Sequence, residues 1–176
     1  IGSYITDSLL NKDTTTKVIV YDNFCSGKKW HLAQNLEDPK FELVEKDILD
    51  ESFSKYLKNV DVTIMLAANA DIAASEKKPI IDFDQGTKLI QIVLEAMRKE
   101  GCNNLIYASG SGVYGDAGLK FVKEDYGPME PISTYGASKL GCEALISSYS
   151  HMFGLKASVF RFGNVVGGKQ THGVAY

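Results

Sequence analysis

The sequence predicts an α/β fold, a parallel sheet with helices on both of its faces. Three observations support this prediction. Short runs of apolar and β-branched residues alternate with longer segments of helical periodicity. The loops richest in glycine, serine and aspartate follow predicted strands, at 22–28, 109–117 and 163–173. The 176 residues are 44% hydrophobic and 23% charged, an ordinary globular composition that excludes a disordered or collagen-like chain.

Five strands are predicted in chain order. The first, at 17–21, is the β-branched run KVIVY, which ends at the turn residues Asp22 and Asn23. The second, at 41–46, alternates apolar and polar residues as a half-buried strand does. The other three are apolar runs at 60–67, 104–108 and 156–162.

Helices are predicted on either side of these strands. The segment 80–99 has apolar residues near helical spacing and is followed by Gly101, a frequent stop signal. Further helices are predicted at 133–152 and 1–11, with weaker helical patterns near 30–36 and 51–58. Because strands and helices alternate, the crossovers predict a doubly wound parallel sheet. Ligands of such sheets bind beyond the carboxyl ends of the strands, where the polar loops lie.

Charge and composition exclude several classes of function. The net charge is −3 and there is no basic stripe, so we expect no nucleic-acid partner. The longest apolar runs are too short to cross a bilayer, so we expect no membrane partner. The three cysteines are far apart in the sequence, which favours free thiols in a reducing cytoplasm. Without a zinc-site spacing of Cys and His, we also expect no metal.

The first candidate binding residue is Asp22, at the end of the first long strand. In a dinucleotide-binding fold, the acid at this position accepts hydrogen bonds from the adenosine ribose. Gly2 lies 20 residues earlier, the distance expected from the last glycine of the phosphate-binding turn. A carboxylate here also repels a 2′-phosphate and so favours NAD over NADP. The alternative is that Asp22 only caps the next turn with Asn23.

The candidate catalytic pair is Tyr135 and Lys139, which lie one turn apart on the same face of a helix. A phenol with a pKa of about 10 is a poor base at neutral pH. A nearby ammonium and an oxidised nicotinamide would bring its pKa towards neutrality, so that it could abstract a hydroxyl proton. The small residues between the pair would let a ligand approach closely. The alternative is a chance pair on an amphipathic helix.

Seven motifs then follow one another in the order of a known family. The chain resembles the extended short-chain dehydrogenase/reductases, in particular the NAD-dependent epimerase/dehydratase family and, within it, the UDP-glucose 4-epimerase group. The resemblance covers essentially the whole chain. Its motifs are IGS at 1–3, YDNFCSG at 21–27, KDILD at 46–50, MLAANAD at 65–71, YASGSGVYGD at 107–116, YGASK at 135–139 and RFGNVVG at 161–167.

The resemblance implies a Rossmann-type fold, NAD as cofactor and a nucleotide-sugar substrate, with a UDP-hexose expected. The catalytic residues it implies are Tyr135, Lys139 and Ser111. The substrate-binding residues it implies are Ser109, Ser111, Tyr135 and Asn164. The cofactor-binding residues it implies are Gly2, Asp22, Asn23, Ser26, Gly27, Asp47, Ile48, Leu66, Ala67, Ala68, Tyr135, Lys139 and Phe162.

The sequence departs from the family pattern at the loop that carries the reacting hydroxyl. Members usually have Ser or Thr three residues before the Val of the V-Y-G motif, and here that position is Gly110. The residue just before the Val, often another hydroxyl, is Gly112. Ser109 and Ser111 are adjacent and either could substitute, with Ser111 slightly favoured. Dehydratases carry Asp-Glu directly before V-Y-G, whereas this chain has Ser111 and Gly112, which disfavours elimination.

Two further departures lie elsewhere. Many members carry Asn-Val-x-Gly-Thr where this chain reads IDFDQGT at 81–87, so that Gly86 and Thr87 are kept and the Asn is not. A Pro-Arg pair that often follows the V-x-G segment is replaced by Gly168 and Lys169, which keeps the charge but loses the bidentate fork of arginine.

The expected reaction is 4-epimerisation by transient oxidation at C4, with Tyr135 as base. The alternatives are a reductase, dehydrogenase or dehydratase of the same family, or a non-catalytic NAD-binding protein. The resemblance also implies a homodimer through helices 80–99 and 133–152. It places the first strand and the glycine-rich turn before Ile1, and most of the substrate-binding part beyond Tyr176. Residues 1–176 are thus expected to be a partial NAD-binding domain, with weak or no NAD binding and no turnover by themselves.

Overall fold

The structure, a computed structural model, describes residues 1–50, 52–69, 71–118 and 121–170. It divides into two compact units. The first unit comprises Ile1–Tyr56 and the segment from Asn164 onward, and the second comprises Leu57–Gly163. Among the helices of these described residues, none combines the length and the apolar character that crossing a membrane requires.

The first unit is built on two parallel strands. Strand β1, Val18–Asp22, pairs with β2, Phe41–Glu45, in a register that sets Asp22 opposite Glu45. Helix α1, Gly2–Leu10, precedes β1, and a 3₁₀ helix, Lys29–Asn35, connects the two strands. The buried apolar side chains of this unit are Leu10, Leu32, Val44, Ile48 and Phe53.

The second unit contains a three-stranded parallel sheet. Its strands are β3, Thr63–Met65, β4, Asn104–Gly110, and β5, Lys156–Phe162, in the spatial order β3-β4-β5. Its helical elements are α2, Ile72–Lys77, α3, Ile80–Asp82, a π turn, Phe83–Thr87, α4, Lys88–Glu100, a 3₁₀ turn, Ser111–Tyr114, and α5, Thr134–Phe153.

The core of the second unit forms where α4 and α5 pack on the sheet. The α4 helix contributes a stripe that is almost fully buried, and β4 and α5 contribute the facing side chains. These are Leu89, Ile90, Val93, Leu94 and Met97 from α4, Leu105 and Tyr107 from β4, and Cys142 and Ile146 from α5.

The predicted α/β class is confirmed, since every strand pair is parallel and helices follow the strands. The described strands form two parallel sheets, β1-β2 in the first unit and β3-β4-β5 in the second. The predicted strand 60–67 shortens to Thr63–Met65, since Asn59 turns with a positive φ of 60° and the Asp61 carbonyl accepts a hydrogen bond from Asn104.

The helix predictions are confirmed in outline and wrong in detail. The weak segments 30–36 and 51–58 contain 3₁₀ helices, at Lys29–Asn35 and Phe53–Leu57, and not α-helices. Helix α2 was not predicted, because six residues are too few to show a helical period. Its N-cap is Asp71, whose side chain accepts from the amide of Ala74. Within 80–99, Ile80 and Phe83 are exposed and lie outside the core.

Local caps fix the two long helices. Both α4 and α5 end at a glycine in the left-handed conformation, Gly101 with φ 76° and Gly154 with φ 72°, as their sequences predict. Helix α5 begins at Thr134, and the Ser133 side chain caps it by accepting from the amide of Gly136 at 3.0 Å. These caps place Tyr135 in the first turn of α5.

Candidate active site

The predicted ribose-binding residue, Asp22, lies at the carboxyl end of β1. Its Oδ1 accepts a 2.7 Å hydrogen bond from the amide of Phe24, which adopts a left-handed φ of 53°. Among the described residues, no group donates a hydrogen bond to Oδ2. The backbone of Gly27 passes beside this carboxylate, since a Cβ there would lie 3.6 Å from Oδ2. Asp22 therefore caps the turn through Oδ1, and its role in ribose binding stays a prediction.

The other predicted adenosine-side residues gather at the same strand ends. Asn23 donates a 2.8 Å hydrogen bond to Asp47 Oδ2, and the Tyr21 hydroxyl donates to the Asp47 carbonyl at 3.2 Å. Ile48 is buried, whereas Ser26 is exposed. The structure thus places Asp22, Asn23 and Asp47 at the same strand ends, as predicted. For Ser26, no side-chain hydrogen bond is found among the described residues.

Two further residues from the sequence analysis lie in the first unit. Gly2 is the first residue of α1, and its carbonyl accepts from the Thr6 hydroxyl at 3.0 Å. Lys169 donates to Asp7 Oδ2 at 2.8 Å and to the His31 carbonyl at 3.1 Å. The charge retained at Lys169 is therefore paired inside this unit. Burial alone would raise the Asp7 pKa, but hydrogen bonds from Lys169, Asn35 and Gln34 leave it below its ordinary value.

In the second unit, Tyr135 and Lys139 lie on one face of α5, as their spacing predicts. Lys139 is buried, and its Nζ donates a 2.7 Å hydrogen bond to the carbonyl of Ala108 in β4. The same nitrogen lies 5.7 Å from the ring centroid of Tyr135 and 5.0 Å from that of Tyr107. Helix α5 thus presents an amine beside the phenol and anchors that amine to the sheet.

The pKa values of this pair differ from the expectation. Burial raises the pKa of Tyr135, and the charge of Asp82 and the thiol of Cys142 raise it further. Burial also lowers the pKa of Lys139. The expected fall of the Tyr135 pKa depended on two positive charges, one of them from a cofactor. The protein's own groups shift it the other way, because desolvation penalises the phenolate.

Ser109, one of the two candidate serines, belongs to a network of polar side chains. Ser109 is buried, and its hydroxyl donates to Glu143 Oε1 at 2.5 Å. Arg161 of β5 binds the same carboxylate through Nε and Nη2, with the shortest distance 2.8 Å. The guanidinium also donates to the Tyr114 hydroxyl at 3.1 Å and to the Glu124 carbonyl at 2.8 Å. Hydrogen bonds from Arg161 to Glu143 raise the arginine pKa, so the guanidinium stays charged.

This network separates the two serines. The Ser109 hydroxyl is committed to Glu143 inside the protein, whereas Ser111 is exposed at the start of the 3₁₀ turn. The sequence offered no signal for the Glu143 contact, because the two residues lie 34 positions apart. Of the two candidates, Ser111 has the accessible hydroxyl.

The small residues between Tyr135 and Lys139 are used for packing within the protein. A Cβ on Gly136 would lie 2.5 Å from the carbonyl oxygen of Gly112, so α5 touches the 3₁₀ turn there. A Cβ on Gly86 would collide with Ser138 Oγ, and Thr87 donates its amide to that oxygen at 3.2 Å. Gly136 and Ser138 therefore make close contacts within the protein, and the approach of a ligand to this part of α5 stays a prediction.

Sequence reasoning missed one buried acid, Asp82 of α3. Its side chain is 2% exposed and accepts from Asn69 at 2.9 Å and from the Thr134 hydroxyl at 2.7 Å. Burial alone would raise its pKa, but hydrogen bonds from Asn69, Ser75 and Thr134 leave the pKa below its ordinary value. The available signal was the departure at 81–87, where an acid lies next to the position of the missing Asn.

The remaining predicted residues lie at strand ends. Leu66, Ala67 and Ala68 follow β3, where Ala67 is exposed and the others are half-buried. Phe162 ends β5 opposite Gly110 of β4, and its ring stacks at 6.1 Å on Phe160. Asn164 follows β5 and is exposed.

The family is decided by the match of the whole motif series. The model of the family described as NAD dependent epimerase/dehydratase matches residues 1–175. The chain belongs to this family.

Among its relatives in this family is the UDP-glucose 4-epimerase of Streptococcus mutans. It is 30% identical over 169 residues, which are 96% of this chain and 50% of the relative. The chain spans about half the length of the curated relatives it matches.

Solved structures of the family are also similar to this chain. The UDP-N-acetylglucosamine 4-epimerase from Methanobrevibacter ruminantium, in complex with UDP-N-acetylmuramic acid, has a TM-score of 0.90 at 29% identity and covers 99% of this chain and 55% of its own. The dTDP-glucose 4,6-dehydratase DesIV from Streptomyces venezuelae, with NAD and TYD bound, has a TM-score of 0.85 at 26% identity and covers 91% of this chain and 51% of its own. The similarity therefore extends to both epimerases and dehydratases.

Proposed function

We propose that this chain is the NAD-binding part of a nucleotide-sugar 4-epimerase of the UDP-glucose/UDP-galactose type, acting by transient oxidation at C4. The observation that carries the proposal is the Tyr135–Lys139 pair in the first turns of α5. Lys139 is fixed by its hydrogen bond to Ala108, and the serine loop follows the same strand. The names of the similar proteins, most of them UDP-sugar 4-epimerases, support the substrate class.

The residues at the strand ends fit an NAD cofactor. Asp22 retains a carboxylate oxygen without a hydrogen-bond donor among the described residues, which suits ribose hydroxyls and disfavours a 2′-phosphate. Asn23, Gly27, Asp47 and Ile48 would complete the adenosine side, with Gly2 and Ser26 near the phosphates. On the nicotinamide side we assign Lys139 to the ribose, with contacts from Leu66, Ala67, Ala68 and Phe162. When bound, NAD supplies the hydride acceptor and then the hydride donor for the sugar carbon.

The protein's own part in the chemistry is proton transfer at the sugar hydroxyl. Tyr135 Oη takes the proton from the C4 hydroxyl. It returns the proton after the keto-sugar has rotated and presents its other face to the cofactor. Ser111 provides the hydroxyl that orients the sugar, because the Ser109 hydroxyl already donates a hydrogen bond to Glu143. Asn164 binds the nucleotide diphosphate side. Elimination of water is disfavoured, since Ser111 and Gly112 occupy the positions where dehydratases need an acid and a base.

The substrate assignment is tested with the complete gene product carrying bound NAD. We expect it to interconvert UDP-galactose and UDP-glucose, with both sugars resolved by NMR. Tyr135→Phe should reduce kcat by at least about 10²-fold while NAD stays bound. Tyr149→Phe is the matched control, because it removes a phenol from the same helix that hydrogen-bonds Gln91 and Glu95 instead. Equal turnover by Tyr135→Phe and wild type would reject the role of Tyr135.

The serine assignment has its own test. Ser111→Ala should lower kcat, because it removes the accessible hydroxyl. Ser109→Ala should mainly lower the free energy of unfolding, by about 1 kcal/mol, because it removes a buried hydrogen bond to Glu143. A larger loss of kcat in Ser109→Ala than in Ser111→Ala would reverse the assignment.

The second candidate function is a nucleotide-sugar reductase or dehydrogenase of the same family. It would use the same Tyr135–Lys139 pair, whereas the glycines at 110 and 112, which leave the loop without the usual hydroxyl residues, favour a non-catalytic NAD-binding protein instead. The fate of the cofactor separates the two functions, since an epimerase recycles NAD within one active site whereas a dehydrogenase releases NADH. Stoichiometric NADH in solution would establish the dehydrogenase.

Three further expectations remain predictions. A homodimer through α4 and α5 should appear as twice the monomer mass in light scattering of the complete protein. A reducing cytoplasmic location accords with the free thiols Cys25, Cys102 and Cys142. The 176 residues by themselves, as part of an NAD-binding domain, should bind NAD weakly or not at all in calorimetry.

A further inference from the structure

The long helix of the second unit contains a π turn, Phe83–Thr87, between α3 and α4. A π turn holds one residue more than an α-helical turn, so it rotates the preceding residues by about 100° relative to those that follow. The consequence is visible in two neighbours. Asp82 is 2% exposed and points into the protein, whereas Phe83 is 51% exposed.

The π turn lies where the sequence departs from the family pattern. That pattern has Asn three residues before the Gly, which in this chain is Phe83, three residues before Gly86. In an uninterrupted α-helix Phe83 would face the interior. With the extra residue of the π turn, Asp82 takes that place, four residues before Gly86. The acid next to the position of the missing Asn is therefore the residue that this fold buries.

Asp82 connects α3 to the loop after β3 and to helix α5. Its carboxylate accepts from Asn69, which follows β3, and from the Thr134 hydroxyl at the start of α5. Its backbone carbonyl accepts from Ser138 Oγ at 2.6 Å. Thr134 and Ser138 lie on either side of Tyr135 in the sequence, so the first turn of α5 is tied to α3 at two points.

We propose that Asp82 is a positioning residue for Tyr135, held in place by the π turn. It fixes the first turn of α5 through Thr134 and Ser138 and the loop after β3 through Asn69, and it places a negative charge near the phenol. The inference rests on the proposed role of Tyr135 as base.

Removing the charge of Asp82 should change the pKa of Tyr135. The titratable groups around the phenol are Lys139 and Cys142 on α5, Tyr107 on β4 and Asp82 on α3. Burial is the largest cause of the raised Tyr135 pKa, and the charge of Asp82 comes next. Asp82 has a pKa below its ordinary value and is ionised wherever a phenol titrates. Removing this charge should therefore lower the Tyr135 pKa.

The first test is Asp82→Asn, which keeps the shape and removes the charge. Tyrosine labelled with ¹³C at Cζ reports each phenol ionisation by NMR, and Tyr135→Phe identifies the signal of Tyr135 among the nine tyrosines. We expect the Tyr135 titration to move to lower pH in Asp82→Asn. The matched control is Asp7→Asn, another carboxylate with a lowered pKa, in the first unit, which should leave the Tyr135 titration unchanged. A folded Asp82→Asn variant whose Tyr135 titrates as in wild type would overturn the proposal.

The second test removes the π turn and guards against failure of Asp82→Asn to fold. Deletion of Gln85 leaves Asp82 three residues before Gly86, so an ordinary α-helix should keep it facing inward and the Tyr135 titration should match wild type. Adding Asp82→Asn to this deletion creates the family's Asn-x-x-Gly-Thr spacing, and the titration should then move to lower pH. Identical titrations with Asp and with Asn in the deletion background would overturn the proposal.

Both readouts are independent of turnover. If the complete protein does not epimerise UDP-sugars, the proposed function fails, and the titrations still decide whether Asp82 acts on Tyr135. If turnover is present, the pH dependence of kcat should shift to lower pH in Asp82→Asn, in the same direction as the NMR titration.

Discussion

Replacing Glu143 by alanine should cost more stability than replacing any surface acid of this protein. The side chains of Glu143 and Arg161 are only 12% and 17% exposed, and they form a bidentate ion pair. Removing one partner of a buried pair costs about 3–5 kcal/mol, because the other charge is left uncompensated. Arg161 keeps its hydrogen bonds to Tyr114 and Glu124, and both side chains retain some exposure. We therefore expect about 3 kcal/mol, the lower end of this range.

Urea unfolding followed by far-ultraviolet circular dichroism measures this loss. The signal reports both units, whereas the single tryptophan, Trp30, lies in the first unit and would miss the second. With a slope of about 2 kcal/mol/M, a loss of 3 kcal/mol moves the midpoint down by roughly 1.5 M urea. The control is Glu42→Ala, which breaks the exposed Lys17–Glu42 pair and should cost at most about 1 kcal/mol.

A double variant separates the lost ion pair from lost packing. Glu143→Ala combined with Arg161→Met leaves no buried charge, so it should be more stable than Glu143→Ala alone. The reasoning is refuted if Glu143→Ala costs less than about 1 kcal/mol. It is also refuted if the double variant is no more stable than the single one, because the uncompensated charge would then not be the cause.

Two other predictions concern a close contact in the second unit and the hydrogen-bonded acids Asp7 and Asp82. Gly86→Ala should destabilise the protein by about 1–3 kcal/mol in thermal unfolding, because its Cβ meets Ser138 Oγ, whereas Gly127→Ala enters open space and should have little effect. The pKa values of Asp7 and Asp82 are lowered by folding, so the stability they contribute is present above their unfolded pKa and is lost as pH falls through the folded values. Stability should therefore fall on acidification below about pH 4, less steeply in Asp82→Asn than in wild type, and equal slopes would contradict this account.

The sequence predicted most elements because their signals are local. The β-branched run before Asp22 forms β1, and the glycines at 101 and 154 end α4 and α5 in the left-handed conformation. The 3₁₀ helices and the short α2 were mistaken or missed, since fewer than two turns show no reliable period. The π turn could not be predicted, because the residues that stabilise it, such as Ser138, lie more than 50 positions away.

The candidate site also combines features with a local sequence signal and features that depend on contacts between distant residues. Spacing alone placed Tyr135 and Lys139 on one face of a helix, since residues four apart are always neighbours there. Position after a strand selected Asp22, and the structure adds that one of its oxygens also caps the turn. The choice between Ser109 and Ser111 depended on Glu143, and the role of Asp82 depended on a one-residue rotation of its helix.

The sequence by itself therefore determined the α/β class, the succession of the strands along the chain, the family and the pairing of a tyrosine with a lysine. Each of these follows from residue type and short-range spacing. The tertiary structure decided which serine is exposed, which buried acid is hydrogen-bonded to the start of α5 and in which direction the tyrosine pKa shifts. These properties arise from burial and from contacts between distant segments, and desolvation acts on a group only once the chain has folded around it.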